Sequence, residues 1–488
     1  MTTDTTLPLG QAGIAQPEAT GAGSPAEGAG SLRVDTLSRR RLLQVAGAGA
    51  AGGALATRAS WASARGIPSI QGEPIELTYW HGWTEQWTEM VQYVVDQFHQ
   101  KQGRIRIKPE VVTWTGDGSD FLTKLTASIV AGKPPDIVTL FGSTAIPTLA
   151  NDEAIVTLND IEGYDDAAVQ EWMNPSVYQL GKYQDKVYGL SYWAGANALI
   201  YNTDHFTAAG LDPKIGPATI ADLDAFTEKL MVRDSSGSIS RMGFSTNDLW
   251  LWGTIFGGSF YDPEAKKVTA NDPNNVRALE WMQSYREKYD PKKMAEFETG
   301  LASERAQNLD PLIAGKFSMQ IQGPWKLGDI RKFADPTFKY AVVAPPRETA
   351  DAPSGNWTWG DIQLIPQGSK DASAAVEFVK FTAGVGDPEG YAQRVVWGNR
   401  PINIPVSLSV LEVPSFQQVV KDYPGFEVFI NSLLKADRIG SPPVMPAAAF
   451  YSDRMTATVE RALLLETEAQ PALDKLTDDV QQELDRSA

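Results

Sequence analysis

The 488-residue chain contains no cysteine at all. That absence excludes a disulfide framework, cysteine-ligated zinc, iron–sulfur clusters and a thiol nucleophile. It also leaves no cysteine to carry a lipid after a signal segment. Histidine is nearly as scarce: His81, His99 and His205 are scattered, and they suggest neither a zinc cluster nor a Ser-His-Asp triad. Positive charge is in deficit. Lys and Arg number 43 against 60 Asp and Glu, a formal net charge of −17, which argues against a nucleic-acid partner or an anionic membrane surface. No apolar run reaches the ~20 residues that a membrane span needs. Neither a G-x-S-x-G elbow nor a G-x-x-x-x-G-K-[ST] loop is present, and no internal repeat is visible. Acidic residues are abundant, so a carboxylate pair for glycoside cleavage stays open on composition alone.

What is present fits a soluble globular protein: 42% hydrophobic and 21% charged residues. The length exceeds what one ordinary core accommodates, so two lobes are expected. Fourteen tryptophans are many for this length, and such large amphipathic side chains belong in a core, an interface or a ligand cleft.

Residues 1–37 are rich in Gly, Ala, Thr and Pro and are expected to be disordered. Residues 38–64 read as a twin-arginine signal peptide. Ser38-Arg39-Arg40-Arg41-Leu42-Leu43-Gln44 precedes a weakly apolar run ending near Ala56. Leu42 stands where that motif usually has Phe. Cleavage is expected after Ala62-Ser63-Ala64, with Ala54-Leu55-Ala56 as second choice. Gly47-Ala48-Gly49-Ala50-Ala51-Gly52 matches G-x-G-x-x-G, but no strand precedes it and it lies in the segment to be removed. The protein is expected to be exported, to a periplasm or to the outer face of the cell membrane.

The mature chain opens as strand, helix, strand. Pro74 to Trp80 alternates, Glu85 to Lys101 carries apolar residues at helical spacing, and Arg104 to Lys108 alternates again. A β-α-β start implies a parallel pair and an α/β sheet. Trp83 follows the first strand at its carboxyl end, where open α/β sheets bind ligands; it either faces a cleft or staples the helix start. A helix over Phe121–Ala131 leads to a buried strand, Ile137–Phe141, and Phe141-Gly142-Ser143 again falls at a carboxyl edge. Asp117-Gly118-Ser119-Asp120 resembles a calcium-loop opening, but Ser128 occupies the position of the required glutamate, so a solvated turn is the reading. Gly181–Asp204 is the stretch around which the rest is arranged. Lys186–Leu190 and Ala198–Tyr201 read as strands. Between them Trp193 stands among Ala194, Gly195, Ala196 and Asn197, small residues that let backbone bend or approach something closely. Further on, Ala221–Met231 reads as a helix and Arg241–Ser245 as a strand. Asn275–Tyr289 reads as a core helix, and Tyr451–Leu465 and Pro471–Leu484 as a closing helix pair.

Val187-Tyr188-Gly189-Leu190-Ser191-Tyr192, Leu199 to Phe206 and Ala209-Gly210-Leu211-Asp212-Pro213 together resemble the extracellular carbohydrate-binding proteins of ABC importers, solute-binding protein family 1. Ser191 replaces the usual proline and is expected only to loosen the turn. Further matches follow in order: the stretch around Lys124–Val138, Trp250 to Asp262, Gly315 to Trp325, Trp357 to Pro366 and Trp397 to Pro401. The resemblance covers nearly the whole mature chain.

It implies an α/β periplasmic-binding-protein fold of type II, two lobes hinged at three crossovers. The first lobe is expected over 73–195 and 359–395, the second over 196–358 and 396–488. It also implies capture of a carbohydrate by hinge closure and delivery to membrane permease subunits, by a monomer with no catalytic residue, metal or cofactor. The aromatic ligand contacts are expected from Trp83, Phe141, Trp193, Trp250, Trp325 and Trp359, and the polar ones from Ser143, Asn247, Asp361 and Arg400. Of Trp250 and Trp252, two apart at a helix start, Trp250 is favoured for the cleft. Arg400 could equally belong to a structural ion pair. The alternatives are an exported polysaccharide-active enzyme, or the same fold caging a cation such as a polyamine or betaine.

Overall fold

The computed structural model describes residues 73–84, 86–113, 119–305, 310–395 and 403–487. The signal segment, the Asp117-Gly118 turn and the third expected crossover with Arg400 lie outside the described residues.

The strand Ile75–His81 buries Leu77, Tyr79 and His81 on alternate positions, and Ile105 and Ile107 do the same in the strand Ile105–Val111. These strands pair in parallel. The helix Gln86–Lys101 between them buries Met90, Val91, Val95 and Phe98, one face of a 3.6-residue repeat. Ile137–Phe141 joins on the other side, also in parallel. Two strands from far along the chain then extend the sheet: Asp361–Leu364 runs antiparallel to Ile137–Phe141, and Gly189–Ser191 antiparallel to Asp361–Leu364. The spatial order is 105–111, 75–81, 137–141, 361–364, 189–191. Because 361–364 alone runs against its neighbours, Asp361 stands opposite Phe141 and Ile362 opposite Ser191. One sheet edge therefore collects the ends of four strands.

A second, three-stranded sheet has Ala198–Asn202 at its centre, antiparallel to Met319–Gln322 and to Tyr340–Val343. Its central strand is buried on both faces. Leu199 and Tyr201 join a core with Phe206, Trp252, Leu279 and Tyr451. Ala198 and Ile200 join Leu327, Ile330, Phe416, Phe426 and Phe429, a core continuous with that of the first sheet. The helices Pro414–Asp422 and Phe426–Leu434, not among the expected elements, cover that face.

Two expected strands come out differently. Lys186–Leu190 splits. Lys186–Val187 hairpins with Lys182–Tyr183, while Gly189–Ser191 enters the large sheet, where a Cβ on Gly189 would stand 2.5 Å from the Gln363 carbonyl oxygen. Of Arg241–Ser245, only Arg241 belongs to a strand, Ile239–Arg241, and Met242 adds an isolated bridge to Phe317. Beyond it Gly243 presses on the neighbouring helix, where a Cβ would stand 2.3 Å from the Thr227 carbonyl oxygen.

Three passages cross between the sheets. Residues 192–197 leave the first sheet for the second, 358–360 return, and the chain near Ile404 lies across both. The passages hydrogen-bond to one another. Ala194 and Ile404 exchange backbone bonds of 2.8 and 2.9 Å, and the Gly195 N–H donates to the Trp359 carbonyl at 2.8 Å. The Asn356 side chain accepts from the Asn197 N–H at 3.0 Å and donates to the Asn197 carbonyl at 2.9 Å. Asn356 is 1% exposed, so truncation strands a buried N–H and a buried C=O, each costing about 1–3 kcal/mol. Asn356→Ala is expected to lower the urea unfolding free energy by about 2 kcal/mol or more; an unchanged midpoint would show that water replaces the lost amide.

Candidate functional site

Above the shared sheet edge lies a cavity of about 660 Å³. The first sheet contributes Trp83, just past the end of its first strand, Phe141 at the end of another, Asp361 at the start of the reversed one, and Trp193 just past Ser191. The second contributes Trp325, which follows Gly323-Pro324 at the end of the strand Met319–Gln322. Trp359 comes from the passage between sheets. Ala449, Ser452 and Asp453 close the far wall from the first turns of the helix Ala448–Leu463, at i, i+3 and i+4 on one face.

The rings form two groups. Trp83 packs edge-on to Phe141 with centroids 4.9 Å apart, and lies 5.7 Å from Trp87 and 6.5 Å from Trp193. Trp325 meets Trp359 edge-to-face at 5.9 Å. Glycines make this possible. A Cβ on Gly195 would fall 2.1 Å from the Trp359 ring, and one on Gly323 1.9 Å from the Trp325 ring. The close approach expected of the small residues after Trp193 is thus made to an indole. Gly360 serves similarly, since a Cβ there would be 2.2 Å from the Ser191 hydroxyl. That hydroxyl corrects one expectation: Ser191 ties the turn instead of loosening it, its Oγ standing 2.6 Å from the Trp193 carbonyl and 3.0 Å from that of Asp361.

A hydrogen-bond chain orders the floor. Trp83 Nε1 donates to the Tyr192 hydroxyl at 3.0 Å, and that hydroxyl donates to Asp361 Oδ2 at 3.3 Å. Burial pushes the Asp361 carboxyl well above its ordinary range, against the opposing hydrogen bonds from Tyr192 and Trp193. Burial, then the neighbouring Asp361, also raises the Tyr192 hydroxyl, which keeps it a donor. No Lys, Arg or His lines the cavity among the described residues, whereas Asp361 and Asp453 both do. Buried His81, at the end of the first strand, is pulled down to about 4 by desolvation and carries no charge at neutral pH. Among the described residues no cluster of three or more His, Cys, Asp or Glu could hold a metal ion.

Of the ten residues expected to bind ligand, six line this cavity: Trp83, Phe141, Trp193, Trp325, Trp359 and Asp361. Ser143 is buried between Gly142 and Thr144, which do line it. Trp250 sits elsewhere, in an aromatic cluster with Phe260 at 4.6 Å, Trp357 at 5.2 Å and Tyr451 at 5.0 Å. Asn247 borders a separate cavity, and Arg400 lies outside the described residues. Sequence reasoning missed Trp87, assigned to a helix core stripe, and Asn403, Ser452 and Asp453, whose placement depends on long-range packing. Helical spacing in 449–453 was the only local signal.

Comparison with known proteins gives a consistent picture. The family model described as bacterial extracellular solute-binding protein matches residues 93–427. The sn-glycerol-3-phosphate-binding periplasmic protein UgpB of Pectobacterium atrosepticum is 24% identical over 398 residues, 75% of this chain and 83% of that protein. Among solved structures, CpMnBP1 with mannobiose bound superposes with a TM-score of 0.68 at 25% identity, covering 84% of this chain and 100% of that one. The cyclic α-maltosyl-1,6-maltose binding protein of Arthrobacter globiformis gives 0.68 at 22% identity, with 85% and 100% covered. The fold is the two-lobed periplasmic-binding-protein fold of type II.

Asp361 also makes a pH prediction. Its native pKa lies above the unfolded value near 3.8, so the native state holds the proton more tightly. Stability should fall as pH rises from that value through the raised native pKa, and stay low above it. Asp361→Asn removes the titrating group. Urea midpoints should fall with pH in the wild type and stay flatter in the variant, which should be the more stable of the two above that window. Parallel pH profiles would contradict this.

Proposed function

The chain belongs to the bacterial extracellular solute-binding protein family, and from that premise we propose that it captures a neutral carbohydrate for an ABC importer. The observation that carries this reading is the 660 Å³ cavity with indoles from both sides of the crossing and few polar groups among them. Its size is in the range of small-molecule sites and admits more than one sugar ring. Indole faces cover the C–H faces of pyranose rings, while Asp361, Asn403 and Ser452 are the polar groups that take hydroxyls. Trp83, Phe141, Trp193 and Trp359 would hold the ligand from the first lobe and the passage, and Trp325, Ser452 and Asp453 from the second. Only a closed arrangement brings both sets to one ligand, so binding favours closure. The 194–197, 356–359 and 403–404 passages would serve as the hinge, with lobes near 73–195 and 359–395, and 196–358 and 396–488. The solute then passes to permease subunits, without chemistry. The twin-arginine segment at 38–64 would deliver the protein outside the cytoplasm.

Charge decides between ligand classes. The glycerol phosphate in the name of the Pectobacterium relative is an anion, and a wall with carboxyl groups at Asp361 and Asp453 but no cation among the described lining residues has nothing to neutralise one. The same carboxylates beside indoles favour a second reading, a cationic solute in an aromatic cage.

Fluorescence titration of the mature protein with mono- to tetrasaccharides, glycerol 3-phosphate, spermidine and betaine separates these. Saturable binding of a neutral oligosaccharide is expected, with little dependence on salt. Trp325→Ala and Trp359→Ala should each weaken it by about tenfold to a hundredfold, the loss typical of a central aromatic contact. Trp250→Phe should leave affinity within about twofold, since that ring packs in the second core. Saturation by cations alone, falling steeply with salt, would replace the carbohydrate reading with the cage.

A further inference from the structure

The hydrogen bonds that order the cavity floor run in one direction. An indole N–H can only donate, so the Tyr192 hydroxyl receives Trp83 Nε1 on a lone pair and gives its own hydrogen to Asp361 Oδ2. Trp193 also donates to this carboxyl, with a smaller effect. Both neighbours thus reach Asp361 as donors, and every hydrogen of the chain is paired only when Oδ2 accepts. Asp361 is 4% exposed and lines the aromatic cavity. Its Oδ1 is not sealed off as the unpartnered Ser143 hydroxyl is, so Oδ1 is the carboxyl atom that meets a solute.

The surroundings decide the charge of this group. The strand paired beside it presents Phe141. The first strand presents Tyr79, whose hydroxyl is engaged with Thr139 at 2.7 Å and Gln363 at 3.1 Å, and His81, uncharged at neutral pH. Asp453 stands exposed on the far wall. The buried cations of flanking elements are committed elsewhere. Lys326, next to Trp325, pairs with Asp310, and Arg394, which shares a smaller cavity with Trp83 and Trp193, pairs with Asp387 at 3.2 Å. An ionised carboxylate among indoles with no cation beside it is unfavourable, and burial holds Asp361 well above the ordinary carboxyl range. With Oδ2 accepting, the proton belongs on Oδ1.

We propose that Asp361 binds the solute as a neutral carboxylic acid, donating from Oδ1 to an acceptor oxygen of the sugar. Trp83 and Tyr192 are the positioning residues that keep the proton on that atom. The proposal rests on the carbohydrate reading above and specifies the solute group at this position. A ring or glycosidic oxygen, which accepts and cannot donate, is the partner selected. Binding is then linked to a proton. Ionised Asp361 loses the bond and turns a charge toward the solute oxygen, so affinity falls as pH rises through the native pKa, by up to about tenfold per pH unit.

The test is fluorescence titration of the wild type, Asp361→Asn and Asp361→Leu from about pH 5 to pH 9, beside infrared spectra of the ligand-free proteins. The probes are the mono- to tetrasaccharides of the titration above, cellobiose and raffinose among them. Asn keeps an acceptor toward Tyr192 and puts an N–H where the acid proton was, whereas Leu supplies neither. Leu should weaken binding by about tenfold or more, the loss of one well-made hydrogen bond, and Asn should recover most of that. At the alkaline end Asn should bind more tightly than the wild type, whose affinity declines there. Ligand-free wild type should show a protonated-carboxyl C=O band at neutral pH that is missing from Asp361→Asn, a measurement that does not depend on the Leu variant folding. Binding by Asn as weak as by Leu, wild-type affinity that rises with pH, or absence of that band overturns the proposal and leaves the carbohydrate reading in place. Failure of every saccharide to bind the wild type removes the carbohydrate reading, and this proposal with it.

Discussion

Backbone that crosses between two sheets has left one ladder before joining the next, so its polar groups must find partners of another kind or stay unmade in a dry interior. In this protein the three passages solve that for one another. Asn356 reproduces with its amide the two bonds that a strand neighbour would give Asn197. Thr358 adds a bond from its hydroxyl to the Gly195 carbonyl at 2.9 Å, and Ala194 and Ile404 make a single isolated bridge. Short, local pairings of this kind hold the segments in register. The position of every ring above the crossing follows from them.

The reversal of one strand matters as much. A wholly parallel sheet places only carboxyl ends at its binding edge. Here Asp361–Leu364 enters from the second sheet and runs backwards, so the residue that begins it, Asp361, arrives at the same edge as Phe141, which ends its strand. That geometry sets a carboxylate among indoles. Tyr192 and Trp193 then hold it, both from the strand end beside it. Burial and hydrogen bonding oppose each other at this one group, and burial has the larger effect on its proton affinity.

Much of this was legible in the chain itself. Alternation marked Ile75–His81, a continuous apolar run marked Ile137–Phe141, and Gly323-Pro324 marked the turn that raises Trp325. Position at a strand's carboxyl end placed Trp83 and Phe141 correctly at the sheet edge. What stayed hidden depends on contacts far apart in sequence. Trp250 and Trp325 both open helices, yet one meets Phe260, Trp357 and Tyr451 and the other meets Trp359. No local pattern distinguishes them, because the difference lies in which chain returns beside each ring. Ser191 misled for a related reason: the hydroxyl that compensates for a missing proline finds its acceptors at Trp193 and at Asp361, the latter 170 residues away.

The glycines connect the crossing to the rings. Trp359 lies against Gly195, so close that a single methyl group would displace it, and Gly195 is itself bonded to the Trp359 carbonyl. Ring and crossing segment are thus packed and bonded as one unit. Trp325, carried by the second sheet, meets the Trp359 indole of that unit in an edge-to-face contact. Rotation about the crossing would change the Trp325–Trp359 separation. On the proposed reading, a ligand lying across both indoles adds contacts that exist only when the rings are close, and resists opening in proportion to the ring area it covers. A solute seated on the first-lobe rings alone would bind without closing the cleft. By this argument the length of the solute, more than its affinity for any one ring, decides how firmly the closed state is held.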